Sequence, residues 1–404
     1  MGKQPLGIYV HIPFCVKKCA YCDFLSGPVT KDRKADYIEA LKKEIRCDKN
    51  LKKQYQVVSI FFGGGTPSSL EGNQIEEILD AIYESFEIDK SKLLDGKEDI
   101  EITIEANPGT LSKEKLRTYR LAGVNRLSIG LQSANDTELK LLGRIHTYEE
   151  FLHNYQLARE AGFMNINVDL MSALPGQTLE SYEDTLRKVI VLRPTHISAY
   201  SLIIEEGTPF YEKYGEGMPE ENLLPTEEVD RLMYARTKEI LKGGGYERYE
   251  ISNYAKKGYA CRHNSLYWNG TDYIGFGLGA SSYLRPVRYQ NETDMDRYLS
   301  YLDGGIDAST MQEKLHKNRT ELTKENQMEE FMFLGLRLTK GVSLEEFEIR
   351  FGISIKEVYE NVISKHSNEG LLEITSDAGK QYLALTEKGR DVSNYVMADF
   401  LLDE

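Results

Sequence analysis

Residues Cys15–Phe24 read CVKKCAYCDF, with three cysteines at intervals of four and three and a phenylalanine two positions after the last. The run stands directly behind Gly7–Ile12, GIYVHI, whose β-branched and aromatic residues predict a strand. A structural zinc site takes four ligands, usually as two separated pairs, and the other two cysteines, Cys47 and Cys261, lie far along the chain. A redox pair at Cys19 and Cys22 leaves Cys15 without a role. Three thiolates on one short loop, Cys15, Cys19 and Cys22, suit a [4Fe–4S] cluster that keeps one iron free of protein ligands. Such an open position admits a second ligand, as an open zinc position does. Zinc or a chance grouping is the alternative reading of the spacing alone.

Composition narrows the classes. The chain has 404 residues, enough for one large domain with an appendage or for two medium ones. An odd cysteine count with three clustered is poor material for a disulfide framework. Net charge is −14, against the basic surface that phosphate neutralisation demands of a nucleic-acid binder. No apolar run approaches the ~18 residues of a membrane span, which leaves room only for peripheral membrane contact. The opening MGKQPLGIYVHIPF lacks a charged-then-apolar signal pattern, so a cytoplasmic protein is expected.

Working outward from the cysteines, strand-like runs recur at Val57–Phe62, Ile100–Glu105, Arg126–Leu131, Ile166–Met171 and His196–Ile203. Helical patterns at Lys34–Lys52, Asn73–Phe86, Lys113–Leu121, Tyr148–Ala161 and Leu179–Leu192 separate them. Alternation of this kind predicts an α/β fold, a parallel sheet, curved or closed, with helices outside. Right-handed crossovers put the strand C-termini on one face, where ligands bind. Thr226–Lys242 predicts one more helix, stopped by Gly243–Gly245; Tyr246–Tyr283 has no clean period. From Asn326 the chain reads as helices, with a strand pair across Asp377–Lys380, a pattern open to a winged-helix-like tail. Residues 320–404 carry 17 acidic against 9 basic side chains, which favours a helper or lid over a DNA-binding role.

Further motifs fall at predicted strand ends. FFGGGTPSSL follows the second strand, and its glycines allow close backbone approach to a ligand; an ordinary glycine turn is the plain alternative. Glu105 closes the third strand ahead of the Asn107–Gly109 turn, Gln132 the fourth, and Asp169 the fifth, while LLGRIH supplies Arg144. One such carboxylate is often a helix cap; four polar side chains on one ligand-facing side are a constellation.

C-x3-C-x2-C after a first strand resembles the radical SAM superfamily. The resemblance implies a partial (β/α)6 barrel, over residues 1–308, with a smaller, mostly helical C-terminal domain over 309–404. It implies that the open iron binds the amine and carboxylate of S-adenosylmethionine (SAM), whose cleavage releases a 5′-deoxyadenosyl radical. By the same resemblance Gly64, Gly65 and Thr66 contact the methionine part, and Tyr9, Tyr21, Glu105, Gln132, Arg144 and Asp169 match SAM-contacting positions. An electron donor such as flavodoxin or ferredoxin follows as a partner.

Within the superfamily, IYVHIPFC, FGGGTPS, EANP, GLQS and DLMSALPGQT resemble the oxygen-independent coproporphyrinogen oxidase group over nearly the whole chain. True oxidases carry another cysteine two residues after the third, and an N-terminal extension. Phe24 stands at that place and 14 residues precede Cys15, so the chain is more similar to HemW-type haem chaperones. CRHNSLYWNG contains their HNxxYW motif as His263, Asn264, Tyr267 and Trp268. The resemblance implies haem contact through His263, Tyr267 and Trp268, with delivery to acceptor proteins such as respiratory haem enzymes. A histidine satisfied by Asn264 beside a packed aromatic pair is the alternative, and Cys261 is either a second thiolate ligand or a buried thiol. Ser281 occupies a position where many relatives have His. The rival function is anaerobic decarboxylation of coproporphyrinogen III.

Overall fold

Six strands follow one another in chain order and pair in parallel: β1 (Gln4–Ile12), β2 (Tyr55–Gly64), β3 (Glu101–Ala106), β4 (Arg126–Gln132), β5 (Asn165–Ser172) and β6 (His196–Ser201). The computed structural model describes residues 2–47, 51–97, 99–302 and 308–402. Each strand covers its predicted run to within a few residues. The first helix spans Lys31–Cys47 and a short turn Leu51–Lys53 follows; the predicted continuation through 48–50 lies outside the described residues. Helices Gly72–Phe86, Lys113–Ala122, Tyr148–Glu160 and Leu179–Leu192 match their predicted patterns.

Period-two alternation sorts each strand into two faces. Ile8, Val10 and Ile12 of β1, Ile60 and Phe62 of β2, and Leu127, Ile129 and Leu131 of β4 are fully buried in the main apolar core. Burying one such side chain contributes about 1.5–3 kcal/mol. The opposite faces of β1, β3, β4 and β5 carry Tyr9, Glu105, Arg126, Ser128, Asn167 and Asp169, which surround a cavity. Apolar side chains thus glue the strands to the helices, while polar ones line the hollow of the curved sheet.

The region without a clean period adds short strands: β7 (Glu247–Arg248), β8 (Asn253–Ala255), β9 (Tyr273–Phe276), β10 (Ser281–Leu284) and β11 (Val287–Asn291). Strands of two to five residues are too short to register as a pattern. β8 and β7 extend the sheet beyond β6; β9 lies parallel to β1, and β10, β11 and β12 (His316–Glu321) continue antiparallel, giving a sheet of twelve strands among the described residues. Helix Ala308–Leu315 places Met311 and Leu315 in this first core, and β12 pairs with β11. These segments thus pack with the first core and its sheet. The second core begins at Met328. It joins helices Lys324–Gly335, Leu344–Phe351 and Ile355–Asn368 to a sheet of β13 (Val342–Ser343), β14 (Leu372–Asp377) and β15 (Lys380–Leu385). Among the described residues no helix is long and apolar enough to cross a membrane.

Candidate functional site

The cysteine loop runs from the C-terminal end of β1 to the helix Lys31–Cys47. Its ends are fastened by Cys15 N–H to the Gly27 carbonyl and Gly27 N–H to the Pro13 carbonyl, both at 3.0 Å. Its middle hangs on neighbouring loops: Ala20 N–H donates to Leu142 (3.2 Å), and the Ala20 carbonyl accepts from Phe210 (3.0 Å). All three thiols are half-buried and free of disulfides. Thr66 Oγ1 lies 3.6 Å from Cys15 Sγ, and Arg144 Nη1 lies 3.6 Å from Cys19 Sγ. Burial pushes the Cys22 thiol up, with the neighbouring cysteines adding to it. Among the described residues no three His, Cys, Asp or Glu side chains converge on the position of a single ion. Three soft donors on one loop, flanked by a hydroxyl and a guanidinium, fit a multinuclear iron–sulfur group, whose thiolates bind different irons.

The glycine run abuts this loop directly. Gly65 N–H donates to Ile12 (2.9 Å) and Thr66 N–H to Phe14 (2.7 Å), locking the end of β2 to the start of the loop. A Cβ on Gly65 would stand 2.7 Å from the Phe14 carbonyl oxygen; Gly64 has φ +112°, and a Cβ there would meet the His11 ring at 2.5 Å. Both positions therefore require glycine.

Arg144 organises the mouth. Its Nη2 donates to Asn107 Oδ1 (2.7 Å) and to the Gly130 carbonyl, while Asn107 Nδ2 donates to Thr66 Oγ1 (2.9 Å). Gln132 ends β4 in the left-handed region at φ +73°, an outlier for a residue with a side chain, and a Cβ on Gly130 would stand 3.0–3.1 Å from Asn107 Oδ1, Arg144 Nη2 and Gln132 Nε2. Tyr21 lies edge-on to Phe210, 6.2 Å between centroids.

Tyr9, Glu105 and Asp169 sit apart from that group, on a chamber of about 200 Å³ within the curved sheet. Burial pushes the Glu105 carboxyl up to about 8; the Asp169 charge adds to this, and the Gly64 N–H and Arg126 oppose it. Burial also raises Asp169, against hydrogen bonds from Asn167, Ser198 and Ser128. Arg126 is 2 % exposed. Burial alone would lower its pKa, yet Cys261, Glu101, Tyr249 and Asp169 hold it above the ordinary value.

Helix Arg262–Trp268, which carries HNxxYW, closes one end of the chamber with His263, Asn264 and Tyr267. Glu101 fixes its start, accepting from the N–H groups of Arg262 and His263 at 3.2 Å each and from Cys261 Sγ at 3.6 Å. His263 is 1 % exposed. Its Nδ1 pairs with Ser59 Oγ and its Nε2 with the Tyr267 hydroxyl, both at 2.9 Å, and burial plus Arg126 lower its pKa to about 3. The expected haem trio is thereby divided. His263 and Tyr267 face the chamber with both imidazole nitrogens engaged, and the partners are Ser59 and Tyr267 rather than Asn264. Trp268 points elsewhere, under the Arg337 guanidinium of the C-terminal domain at 4.4 Å. The helical turn causes this: positions four apart share a face, and the next residue turns away. Cys261 is fully buried and its thiol is pushed up to about 12, an inert state for a ligand. Ser281 lies exposed on β10 and does not line the chamber.

Ser59, Glu101, Asn107 and Arg126 are the contributors that motif reading passes over. A signal for Arg126 exists: RLSIGLQ alternates strictly, which puts Arg126, Ser128, Gly130 and Gln132 on one face.

A curved parallel sheet with a three-cysteine loop after β1 and Gly-Gly-Thr after β2 defines a radical SAM protein. Residues 9–189 match the radical SAM superfamily, and residues 322–392 the HemN C-terminal domain. The solved coproporphyrinogen III oxidase (HemN) of Escherichia coli shares the fold, with TM-score 0.82 and 24% identity over 99% of this chain and 90% of that one. The chain belongs to the HemW family. It is 37% identical to the heme chaperone HemW of Lactococcus lactis over 100% of this chain and 99% of the relative. Identity to the Bacillus subtilis protein of that name is 36% (97% and 98% covered), and to that of Escherichia coli 34% (99% of each).

Proposed function

We propose that this chain is a haem chaperone that holds a [4Fe–4S] cluster on Cys15, Cys19 and Cys22, binds SAM, and passes haem to acceptor proteins such as respiratory haem enzymes. The single observation that carries the cofactor part is the packing of the cysteine loop against Thr66 and Arg144, at 3.6 Å from Cys15 and Cys19. The haem part draws its support from the relatives named heme chaperones.

When bound, the cluster supplies one electron and an open iron position for the amine and carboxylate of SAM. The chain's own groups do the rest. Gly64, Gly65 and Thr66 present backbone and hydroxyl to the methionine part, while Arg144, held by Asn107, supplies positive charge beside Cys19. Gln132, Glu105 and Asp169 offer acceptors for the nucleoside, with Tyr9 and Tyr21 as aromatic walls. A one-electron donor such as flavodoxin or ferredoxin, acting in the cytoplasm, completes the reading.

The test is anaerobic reconstitution of the wild type and of Cys19→Ala, with iron and sulfide counted, followed by haemin titration and by incubation with coproporphyrinogen III, SAM and reductant. A full cluster in the wild type only, saturable haem binding and no protoporphyrin-type product are expected. Catalytic turnover of coproporphyrinogen III would replace this reading with the oxidase.

A further inference from the structure

Acidic side chains outnumber basic ones over the whole chain, 64 to 50, yet residues 16–34 hold five basic against two acidic. This stretch carries the cysteine loop and the first turn of the helix Lys31–Cys47 behind it. It is cationic where the molecule is anionic. Lysines elsewhere, among them Lys42, Lys52, Lys188 and Lys365, are spent on carboxylates at 2.6–2.7 Å. Among the described residues Lys17, Lys18, Lys31 and Lys34 form no ion pair of that kind. Lys18 Nζ donates to the Phe24 carbonyl (3.0 Å) and Lys34 Nζ to the Ser69 carbonyl (3.5 Å).

These cations follow one edge of the barrel mouth. Lys17 borders Thr66 and Thr110. Thr110 pairs with Ser68 (2.6 Å), whose carbonyl takes Lys115 Nζ (3.3 Å), and Lys34 takes the next carbonyl along. Glu71 stands 3.9 Å from Lys115. Lys31 lies three residues before Lys34 on the same helix and so shares its face. Burial and then the like charge of Lys115 lower the pKa of Lys34, with Glu71 and Cys15 opposing. Asp23 and Glu206 share a groove with Lys18, Cys19 and Cys22, which leaves the edge from Lys17 to Lys31 as the cationic side. Beside that edge the loop exposes apolar side chains: Val16, next to Cys15, is 58 % exposed, and Phe24, two places after Cys22, is 63 % exposed. The Phe24 N–H hydrogen-bonds the Cys22 sulfur, so this ring stands one backbone step from a cluster ligand.

We propose that this edge is the docking surface of the one-electron donor, a carrier protein that sets an anionic face against Lys17, Lys31 and Lys34 and covers Phe24 and Val16. The inference rests on the cluster reading above. An exposed aromatic flanked by unpaired cations supplies both parts of such a contact: an apolar anchor to be desolvated, and charges that steer and orient the partner. The step is a bare electron transfer. The carrier loses one electron, the cluster gains one, and no atom changes place. Phe24 thereby acquires a positive role at the position where the oxidases carry a cysteine. Steering by opposite fields is screened within ~10 Å at ~0.1 M salt, so docking through this edge is salt-sensitive. A nucleic acid is the other polyanion a lysine edge could meet, but a net charge of −14 opposes a long phosphate backbone.

The experiment uses the full-length chain with its cluster reconstituted anaerobically, and an acidic flavodoxin as the probe. Binding of oxidised flavodoxin is measured by calorimetry, and reduction of the cluster by flavodoxin hydroquinone by stopped-flow absorbance, at ~0.05 M and ~0.3 M salt. The proteins compared are the wild type, the double variant Lys17→Glu/Lys31→Glu, Phe24→Ala, and Lys356→Glu, which reverses an exposed charge on the C-terminal domain. The double variant is expected to bind at least tenfold more weakly at low salt and to be reduced correspondingly slowly, with wild-type iron and sulfide content and wild-type reduction by dithionite. Phe24→Ala should weaken binding several-fold at both salt concentrations, and Lys356→Glu should match the wild type. Wild-type affinity and rate in the double variant, an equal loss in Lys356→Glu, or no salt-sensitive flavodoxin binding by the wild type overturns the proposal. So does tighter binding of a short single-stranded DNA than of flavodoxin at the same salt. A wild type that takes up no cluster, or whose cluster dithionite does not reduce, instead overturns the cluster reading itself.

Discussion

Glu105 offers a sharp test of the chamber. Its carboxyl is raised from 4.5 to about 8, first by burial and then by Asp169. At ~1.36 kcal/mol per pH unit, that difference corresponds to about 5 kcal/mol as an upper bound. The carboxyl faces a cavity of about 200 Å³ rather than packed protein, so water softens the penalty to about 2–3 kcal/mol. Below pH 4.5 the group is protonated whether the chain is folded or not, and it contributes nothing. Between 4.5 and 8 the unfolded chain ionises and the folded one does not, so stability falls as pH rises; above 8 the loss is complete. Glu105→Gln keeps the shape and an acceptor for the Gly64 N–H and cannot ionise. The variant should match the wild type near pH 5 and exceed it by about 2–3 kcal/mol at pH 8.5. Guanidinium unfolding of the cluster-free chain at pH 5, 7 and 8.5, followed by circular dichroism, measures the difference. Parallel stability curves for the two proteins across that range would refute the assignment of a proton-bearing Glu105.

Gly65→Ala places a Cβ 2.7 Å from the Phe14 carbonyl oxygen and 3.0 Å from that of Ile12, so β2 and the cysteine loop must separate. Iron and sulfide incorporation after reconstitution should fall by more than half while the far-ultraviolet spectrum is retained; full incorporation would contradict the packing. Arg337→Met removes the cation above Trp268, the only tryptophan. A loss of about 1 kcal/mol is expected, with a shift of the tryptophan emission maximum; an unchanged emission spectrum would contradict that contact.

The fold was legible because its determinants are local and repeated. Strand runs and helix patterns alternate six times, and each strand buries Ile, Val or Leu on its helix-facing side. The mouth of the barrel was legible too, since Cys15, Cys19, Cys22, Gly64, Gly65, Thr66 and Arg144 lie at the ends of strands or on the loops behind them, which the topology brings to one rim. The short strands β7 to β11 were hidden because two to five residues hold no period.

The HNxxYW helix shows why a motif does not carry its own geometry. His263 and Tyr267 are four residues apart and must share a face, so a hydrogen bond between them is within reach of helical spacing alone. Trp268 follows Tyr267 directly and must leave that face. Glu101 holds the helix start and Ser59 takes the second imidazole nitrogen. Both partners come from strands more than 150 residues away in the sequence, where no local pattern could announce them.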